Sequence, residues 1–295
     1  FIFNDFSCFP KILSQHGWTT EFFQGTPKGI IGMDTLLGKV GYKKSFGQYE
    51  IPSVRRKPHS LGLRDEDIYD FALNRMTAEK EPFLFGINTN TTHEHTIDKD
   101  FKITFDPSKP HLDVLLDADT ALKEFLAKYA QLNLKLPTIF VMVGDHTKFI
   151  HSSNLQRFRV PFLIYSPTIN LPHMINRPMS QRDIPPTVLD ILNLKPAEGM
   201  SGKSLLRNNE QPYFADYFYA GTLGWLQQDS LIEINAHTGE KIKCYKWRDD
   251  LYLKKGLPCL NKEEYIQKNA LSFTILSQKL LFSNRAMLFH NFLKS

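Results

Sequence analysis

The sequence has no long apolar run, no block of like charge and few cysteines. The longest apolar stretches, such as residues 139–143, have the length of a strand, whereas a membrane-spanning helix needs about 20 apolar residues. The 36 Lys and Arg residues against 31 Asp and Glu give a formal charge of +5, which no segment concentrates. Composition therefore gives no support for a nucleic-acid partner. The mild basicity is compatible with an anionic substrate or an anionic membrane surface.

Only three cysteines are present, Cys8, Cys244 and Cys259, and their spacing matches no metal-binding motif. Three ordinary thiols are the simplest interpretation. Cys244 and Cys259 flank a polar stretch, so a disulfide between them in an oxidising compartment stays an open alternative.

The chain also starts without an initiator methionine, a basic leader or a hydrophobic signal segment. This start predicts that the 295 residues are a piece of a longer protein. The length, with 42% hydrophobic residues, is enough for one large core or for a core with a small subdomain.

Short apolar runs alternate with longer segments of helical period in the first two-thirds of the chain. This alternation predicts an α/β fold with a mostly parallel central sheet flanked by helices. The strands of that sheet are predicted at residues 18–24, 82–88, 138–143 and 161–165, and helices at residues 65–76, 113–130 and 184–192. Asp65-Glu66-Asp67 is interpreted as a charged first turn at the positive end of a helix dipole.

The composition of the sequence changes at about residue 210. Residues 212–253 are rich in aromatic residues and predict short antiparallel strands, with a hairpin turn at residues 236–240. Residues 262–293 have the spacing of a closing helix. The predicted organisation is an α/β domain over residues 1–210 and a small antiparallel extension with its helix over residues 211–295.

The most informative segment is a buried strand that ends abruptly at Gly144-Asp145-His146. Because the carboxyl ends of parallel strands form the ligand crevice of an α/β sheet, these side chains are delivered to its functional edge. An adjacent carboxylate and imidazole can bind one divalent cation together, Asp145 through oxygen and His146 through nitrogen. A capping aspartate beside a surface histidine is the competing interpretation.

A second predicted strand carries Thr91-Thr92-His93 beyond its apolar part. His93 is a candidate for hydrogen bonding an anionic substrate or for protonating a leaving group, with His95 as a solvated neighbour. A structural or merely exposed histidine is the alternative for His93.

Several segments, in this order, resemble the sulfatase-like branch of the alkaline phosphatase superfamily. They are residues 9–19, 62–72, 91–93, 144–146, 159–167, 180–192 and 202–206. Any one of them is a weak signal, but the ordered set is specific. The subgroup with the closest resemblance is the membrane-anchored phosphoglycerol transferases, which include lipoteichoic acid synthases and enzymes that decorate periplasmic glucans. The resemblance covers roughly residues 5–206.

The resemblance implies a catalytic domain in which Asp145 and His146 bind one divalent cation. That cation is usually manganese in the subgroup, with zinc, magnesium and calcium as alternatives. His93 matches the histidine that contacts the substrate phosphate or phosphoglycerol. An acidic metal ligand and the Thr or Ser nucleophile are expected upstream of Phe1, so no catalytic nucleophile is assigned, and the chain by itself is expected to be inactive.

The implied reaction transfers a phosphoglycerol-type group from a phospholipid donor to a glycan or polymer hydroxyl through a covalent phospho-enzyme. It takes place outside the cytoplasmic membrane, and the intact protein is anchored there by segments that precede this chain. One departure from the family concerns the substrate: residues 29–34 lack the arginine that lipoteichoic-type synthases carry in this region. Lys28 is a candidate to supply the positive charge from another side of the site.

Two alternatives stay open. The first is other chemistry on the same fold, such as sulfate-ester hydrolysis or phosphoethanolamine transfer. The second is a non-catalytic domain or inactive fragment that binds glycan or lipid head groups.

Overall fold

The computed structural model describes residues 4, 6–52, 55–93, 108–147, 153–171, 174–207, 212–259 and 263–286. The chain forms two compact units, an N-terminal unit, Phe6–Leu136, and a C-terminal unit, Pro137–Ser295 with a few residues of the amino terminus. This division by compactness falls at residue 136. The predicted division at residue 210 separates a catalytic domain from an extension, and it stays a prediction.

The N-terminal unit is a parallel sheet with helices. Its main elements are α1 (Phe9–Gln15), β1 (Thr19–Gln24), α2 (Met33–Val40), β2 (Lys44–Phe46), α3 (Asp65–Ala78), β3 (Phe83–Asn88) and α4 (Pro110–Tyr129). The strand order is β2-β1-β3, and β1 pairs in parallel with both neighbours. The carboxyl ends of the three strands therefore meet at one edge of the sheet.

One aromatic side chain of the central strand joins the elements of this unit. Phe23 in β1 is fully buried, and its ring centroid lies 5.5 Å from that of Phe46, 5.9 Å from Phe71 and 5.0 Å from Phe85. These partners belong to β2, α3 and β3. Aromatic pairs at such distances contribute about 0.5–1.5 kcal/mol each beyond the area they bury, so Phe23 fixes the position of α3 on the sheet.

The C-terminal unit contains two antiparallel sheets. Its elements are β4 (Phe140–Val143), α5 (Asn154–Arg157), β5 (Phe162–Tyr165), α6 (Ile184–Ile191), β6 (Phe214–Tyr219), β7 (Thr222–Gln227), β8 (Ser230–Asn235), β9 (Lys241–Lys246) and α7 (Glu263–Phe282). Strands β6 to β9 form a meander in chain order. One face of it buries Trp225, Ile232 and Ile234 together with Ile266 and Ala270 of α7. The predicted antiparallel strands and closing helix are confirmed, and residues 287–293 of that prediction lie outside the described residues.

The pairing of β4 and β5 differs from the prediction. The sequence placed four strands in one central sheet, whereas the structure pairs β1 with β3 in parallel and β4 with β5 in a separate antiparallel sheet. The strands themselves are in the predicted places, and the parallel sheet with helices agrees with the predicted α/β class. The predicted burial of β4 is wrong as well: none of its residues is buried, and Val141 and Val143 are 37% and 44% exposed. An apolar run identifies a strand, but it carries no information on the partner, the direction of pairing or the burial in the folded chain.

Cys244 and Cys259 form a disulfide with a Cα–Cα distance of 5.4 Å, which joins β9 to the segment before α7. The interpretation of three ordinary thiols is therefore wrong for this pair, while Cys8 is a free thiol. Among the described residues, no helix has both the length and the apolar content to cross a bilayer.

Candidate functional site

The loop after β4 presents two potential metal ligands to solvent. Asp145 Oδ2 lies 3.4 Å from His146 Nε2, and the two side chains are 82% and 69% exposed. Two ligands of one tetrahedral cation, each bound at about 2.0–2.1 Å, lie about 3.4 Å apart. The predicted pair therefore has the separation that a shared cation requires, with one oxygen and one nitrogen donor.

Backbone contacts orient both side chains. Asp145 Oδ1 accepts a hydrogen bond from the backbone N–H of His146 at 2.8 Å, which leaves Oδ2 for a ligand. His146 Nδ1 lies 2.9 Å from the carbonyl oxygen of Thr147. Since a carbonyl oxygen only accepts, Nδ1 carries the proton and neutral His146 has its lone pair on Nε2, the atom that faces Asp145.

The loop is tied to its surroundings on both sides. Gln181 Nε2 donates to the carbonyl oxygens of Gly144 at 2.7 Å and of Asp145 at 3.3 Å. Thr147 Oγ1 donates to the carbonyl oxygen of Arg157 at the end of α5, at 2.5 Å. The role of Gln181 was not predicted, because a glutamine 36 residues away in the chain carries no local signal for this contact.

The described residues contain one group of three metal-ligating side chains whose ligand atoms lie close together, Cys244, Cys259 and Glu263. Its two cysteines are joined in the disulfide, so they offer no thiolate. Within the described part of the chain, the candidate site at Asp145 and His146 thus offers two ligand atoms. Its mixed oxygen and nitrogen donors suit zinc and manganese.

His93 ends a short 3-10 turn, Thr91–His93, which follows β3 at the carboxyl edge of the parallel sheet. Its backbone N–H donates to the carbonyl oxygen of Asn90 at 3.0 Å, and its side chain is exposed. Thr91, in contrast, is buried. His93 is therefore available to a ligand, whereas Thr91 points into the protein. His95 lies outside the described residues.

Asp65, Glu66 and Asp67 form the first turn of α3, as predicted, but this turn is not solvated. Asp65, Glu66 and Asp67 are all buried, at 2%, 7% and 1% exposure. Glu66 accepts from Arg56 Nε at 2.6 Å, and Asp67 Oδ1 accepts from the backbone N–H of Arg55 at 2.6 Å. Helical period shows where a helix begins, but it does not show which loops will cover the first turn of that helix.

Burial raises the pKa of two carboxyl groups in this turn. Loss of solvation raises the pKa of Asp65, opposed by hydrogen bonds from Thr91 and Asn90. For Asp67, burial and then the charge of Glu66 raise the pKa to about 6, against a hydrogen bond from the backbone of Arg55.

Three loops meet closely at this edge of the N-terminal unit. A Cβ atom added to Gly62 would lie 2.1 Å from the carbonyl oxygen of Gly25, and one added to Gly25 would lie 2.3 Å from the side-chain amide of Asn90. Leu63 N–H donates to that same Gly25 oxygen at 2.9 Å. The loops after β1 and before α3 are therefore packed backbone to backbone, with the Asn90 side chain of the loop after β3 against them, which needs glycine at both positions.

The structure thus brings Asp145 and His146 together in the C-terminal unit and places His93 at a sheet edge of the N-terminal unit. The convergence of all three on one substrate stays a prediction, as do their roles.

Comparisons with known proteins agree with this fold. A family model described as Sulfatase matches residues 2–194. A protein in the alkaline phosphatase superfamily from Vibrio parahaemolyticus has a TM-score of 0.79 at 22% identity, over 94% of this chain and 68% of that one. The lipoteichoic acid synthase LtaP from Listeria monocytogenes has a TM-score of 0.74 at 17% identity, over 97% and 72%. The Streptococcus pyogenes phosphoglycerol transferase GacH, solved with sn-glycerol-1-phosphate, has a TM-score of 0.50 at 16% identity, over 66% and 57%.

Proposed function

The chain belongs to the sulfatase family, and from that premise we propose that it is the catalytic domain of a metal-dependent phosphoglycerol-type transferase. The transferred group passes from a phospholipid donor to a hydroxyl group of a glycan or polymer. The observation that carries the proposal is the pairing of Asp145 Oδ2 with His146 Nε2 at 3.4 Å, exposed and with their other polar atoms occupied. The family is typically metal-dependent, which supports a cation at this pair.

Asp145 and His146 would hold the cation, for which we propose manganese. A bound divalent cation offsets charge on a phosphoryl oxygen and lowers the pKa of a hydroxyl nucleophile. His93 would donate a hydrogen bond to a phosphoryl oxygen of the transferred group. None of the described residues is assigned as the nucleophile.

The reaction is proposed in two displacements. In the first, an enzyme hydroxyl oxygen bonds to phosphorus, the bond from phosphorus to the lipid oxygen breaks, and the donor leaves as diacylglycerol with the proton. In the second, an acceptor hydroxyl oxygen bonds to phosphorus while the bond to the enzyme breaks, and the acceptor proton passes to the enzyme oxygen.

Two observations support the substrate class and the location. The folds of a lipoteichoic acid synthase and of a phosphoglycerol transferase are similar to this chain. The disulfide between Cys244 and Cys259 is typical of proteins in an oxidising compartment, which supports our proposal of an extracytoplasmic location at the membrane. Membrane attachment, the phospholipid donor and the glycan acceptor are parts of this proposal.

The test uses the protein in its natural full length. Manganese affinity is measured by calorimetry, and diacylglycerol release from phosphatidylglycerol is followed in parallel. We expect Asp145→Ala and His146→Ala each to weaken manganese binding by at least about 10-fold and to abolish release. His237→Ala is the matched control, because His237 is an exposed histidine on the turn between β8 and β9.

The outcomes separate the alternatives. Release that survives chelation of the metal, or manganese affinity unchanged in Asp145→Ala, would contradict the proposal. Sulfate release from an aryl sulfate without phosphodiester cleavage would favour a sulfatase, and metal binding with no turnover of either substrate would favour a binding domain.

A further inference from the structure

Asp65 and Thr91 cap each other's segments, although they lie on different elements. The Asp65 carboxylate oxygen Oδ1 accepts from the backbone N–H groups of Asn90 at 2.7 Å and Thr91 at 2.9 Å. In return, Thr91 Oγ1 accepts from the backbone N–H of Asp65 at 3.2 Å. The arrangement is reciprocal: the side chain at the start of each segment satisfies backbone amides of the other.

These three hydrogen bonds lie in the interior. Asp65 and Thr91 are each 2% exposed, and Asn90 is 5% exposed. The first N–H groups of a helical segment have no partner within that segment, and a buried amide without a hydrogen-bond partner is destabilising. Removing the Asp65 carboxylate would leave the buried backbone amides of Asn90 and Thr91 without these hydrogen-bond acceptors.

The hydrogen bonds of Asp65 also affect the position of His93, because His93 lies in the same short turn. His93 is the last residue of the turn Thr91–His93, and its backbone N–H bonds to the carbonyl oxygen of Asn90. The two amides held by Asp65 are those of Asn90 and of the first residue of that turn. The Asp65 carboxylate therefore ties the backbone that carries His93 to the start of α3.

We propose that Asp65 is the positioning residue for His93, and that its carboxylate holds the Thr91–His93 turn at the geometry the substrate phosphate requires. This inference rests on the proposed function, in which His93 contacts the transferred group. Asp65 touches no reacting atom in this scheme, since it is buried behind the turn.

The charge of Asp65 has its own role. Asp65 is the first residue of α3, where the positive end of the helix dipole stabilises a carboxylate, and a charged acceptor makes stronger hydrogen bonds than a neutral one. Asp65→Asn keeps one oxygen acceptor at this place and loses the charge, with an NH2 group in place of the second oxygen. Asp65→Ala loses the acceptor altogether. Comparison of the two variants therefore separates the effect of the Asp65 charge from the effect of its hydrogen bonds.

The first test measures the hydrogen bonds without activity. Hydrogen exchange of the Asn90 and Thr91 amides is followed in the full-length protein. We expect Asp65→Ala to speed their exchange by about 10-fold or more, and Asp65→Asn to change it less. Asp67→Asn is the matched control, because Asp67 is a buried carboxyl of the same helical turn that bonds to Arg55 instead. Unchanged protection at Asn90 and Thr91 in Asp65→Ala would overturn the inference.

The second test links Asp65 to His93 through kinetics. We expect Asp65→Ala to lower kcat/KM for phosphatidylglycerol by about 10- to 100-fold, and Asp65→Asn by less, because small displacements of a substrate-contacting group have such effects. In the double variant with His93→Ala, the loss should be no greater than that of His93→Ala alone. Additive losses would contradict a positioning role.

Failure of the proposed function gives a different pattern. If His93→Ala keeps full activity, the role of His93 is wrong whatever Asp65 does. If His93→Ala is impaired while Asp65→Ala keeps full activity, the positioning role alone is wrong. Should Asp65→Ala fail to fold, Thr91→Val, which removes the other half of the reciprocal pair, takes its place, with Thr91→Ser as its control.

Discussion

Gln181 is the residue whose side chain holds the backbone of the candidate metal loop. It donates to the carbonyl oxygens of Gly144 and Asp145 from the turn Gln181–Asp183, which is itself closed by a capping box between Ser180 and Asp183. A rigid turn therefore positions the Asp145 backbone. Groups that orient metal ligands are often as important for affinity as the ligands themselves.

We expect Gln181→Ala to weaken manganese binding by about 10-fold, because the loop loses its fixed position while both ligands stay present. Calorimetry with manganese measures the change. The control is Gln156→Ala, which removes a comparable bond from a glutamine to a backbone carbonyl, that of Leu251, in the same unit. Equal affinity in the two variants would show that Gln181 does not order the site.

The residues of the site were predictable to different degrees. His93 follows a strand of the parallel sheet, where a polar residue at the carboxyl edge is a local signal. Asp145 and His146 are an adjacent carboxylate and imidazole after an apolar strand, but that strand pairs antiparallel, so the sheet-edge argument does not apply to them. The tautomer of His146 and the contact of Gln181 depend on which backbone carbonyls lie nearby in the folded chain. No sequence pattern contains that information.

At the scale of elements, the first turn of α3 combines helix formation with buried charge. Asp67 is buried in this turn, with Glu66 beside it and Asp70 one turn further along, and the backbone N–H of Arg55 bonds to its carboxyl. Its pKa rises to about 6 from the ordinary value of 3.8. The folded protein therefore binds the Asp67 proton more tightly than the unfolded chain, and stability falls as pH rises from about 4 to about 6.

We expect Asp67→Asn to raise the free energy of unfolding at pH 7.5 by about 1–2 kcal/mol, since the amide keeps an acceptor for Arg55 without the buried charge. The gain should shrink below pH 6 and vanish near pH 4. Denaturant unfolding across this pH range measures it. As a control, Asp70→Asn removes partly exposed ion pairs with Arg55 and Lys128, and should change stability by less than about 1 kcal/mol. A less stable Asp67→Asn protein at pH 7.5 would refute this account.

Helices, strands and turns were predictable where a local sequence pattern alone determines the structure. Helix α3 and strands β1 and β3 follow from periodicity, and the turn before β9 follows from its composition. The antiparallel pairing of β4 with β5 and the burial of the acidic turn were not predictable, since both depend on contacts between segments far apart in the chain. The alternation of strand-like and helical segments supplied the fold class, and neither it nor the resemblance to a family supplied these contacts.

At the scale of the whole chain, His93 lies in the N-terminal unit, Asp145 and His146 lie in the C-terminal unit, and one disulfide lies within the C-terminal unit. The disulfide joins β9 to the start of α7, the helix that covers the four-stranded sheet. The loop between the cysteines is also ordered by Asp250, which accepts from the backbone N–H groups of Lys254, Lys255 and Gly256 at 2.9, 2.7 and 2.9 Å. The loop therefore has its own structure besides the covalent link.

The disulfide and the hydrogen bonds of Asp250 stabilise this loop in different ways, and reduction of the disulfide separates their effects. Closing a loop of about 15 residues stabilises a protein by about 3 kcal/mol in the chain-entropy model. We therefore expect the double variant Cys244→Ser and Cys259→Ser to unfold at lower denaturant than the wild type under oxidising conditions, and at the same denaturant once the wild type is reduced. Hydrogen exchange at Lys254 and Gly256 should stay slow in both states, because Asp250 still binds those amides. Cys8→Ser, which alters the free thiol, should respond to reductant as the wild type does. Equal unfolding midpoints for the double variant and the oxidised wild type would mean that the disulfide adds nothing to the stability of the unit that carries Asp145 and His146.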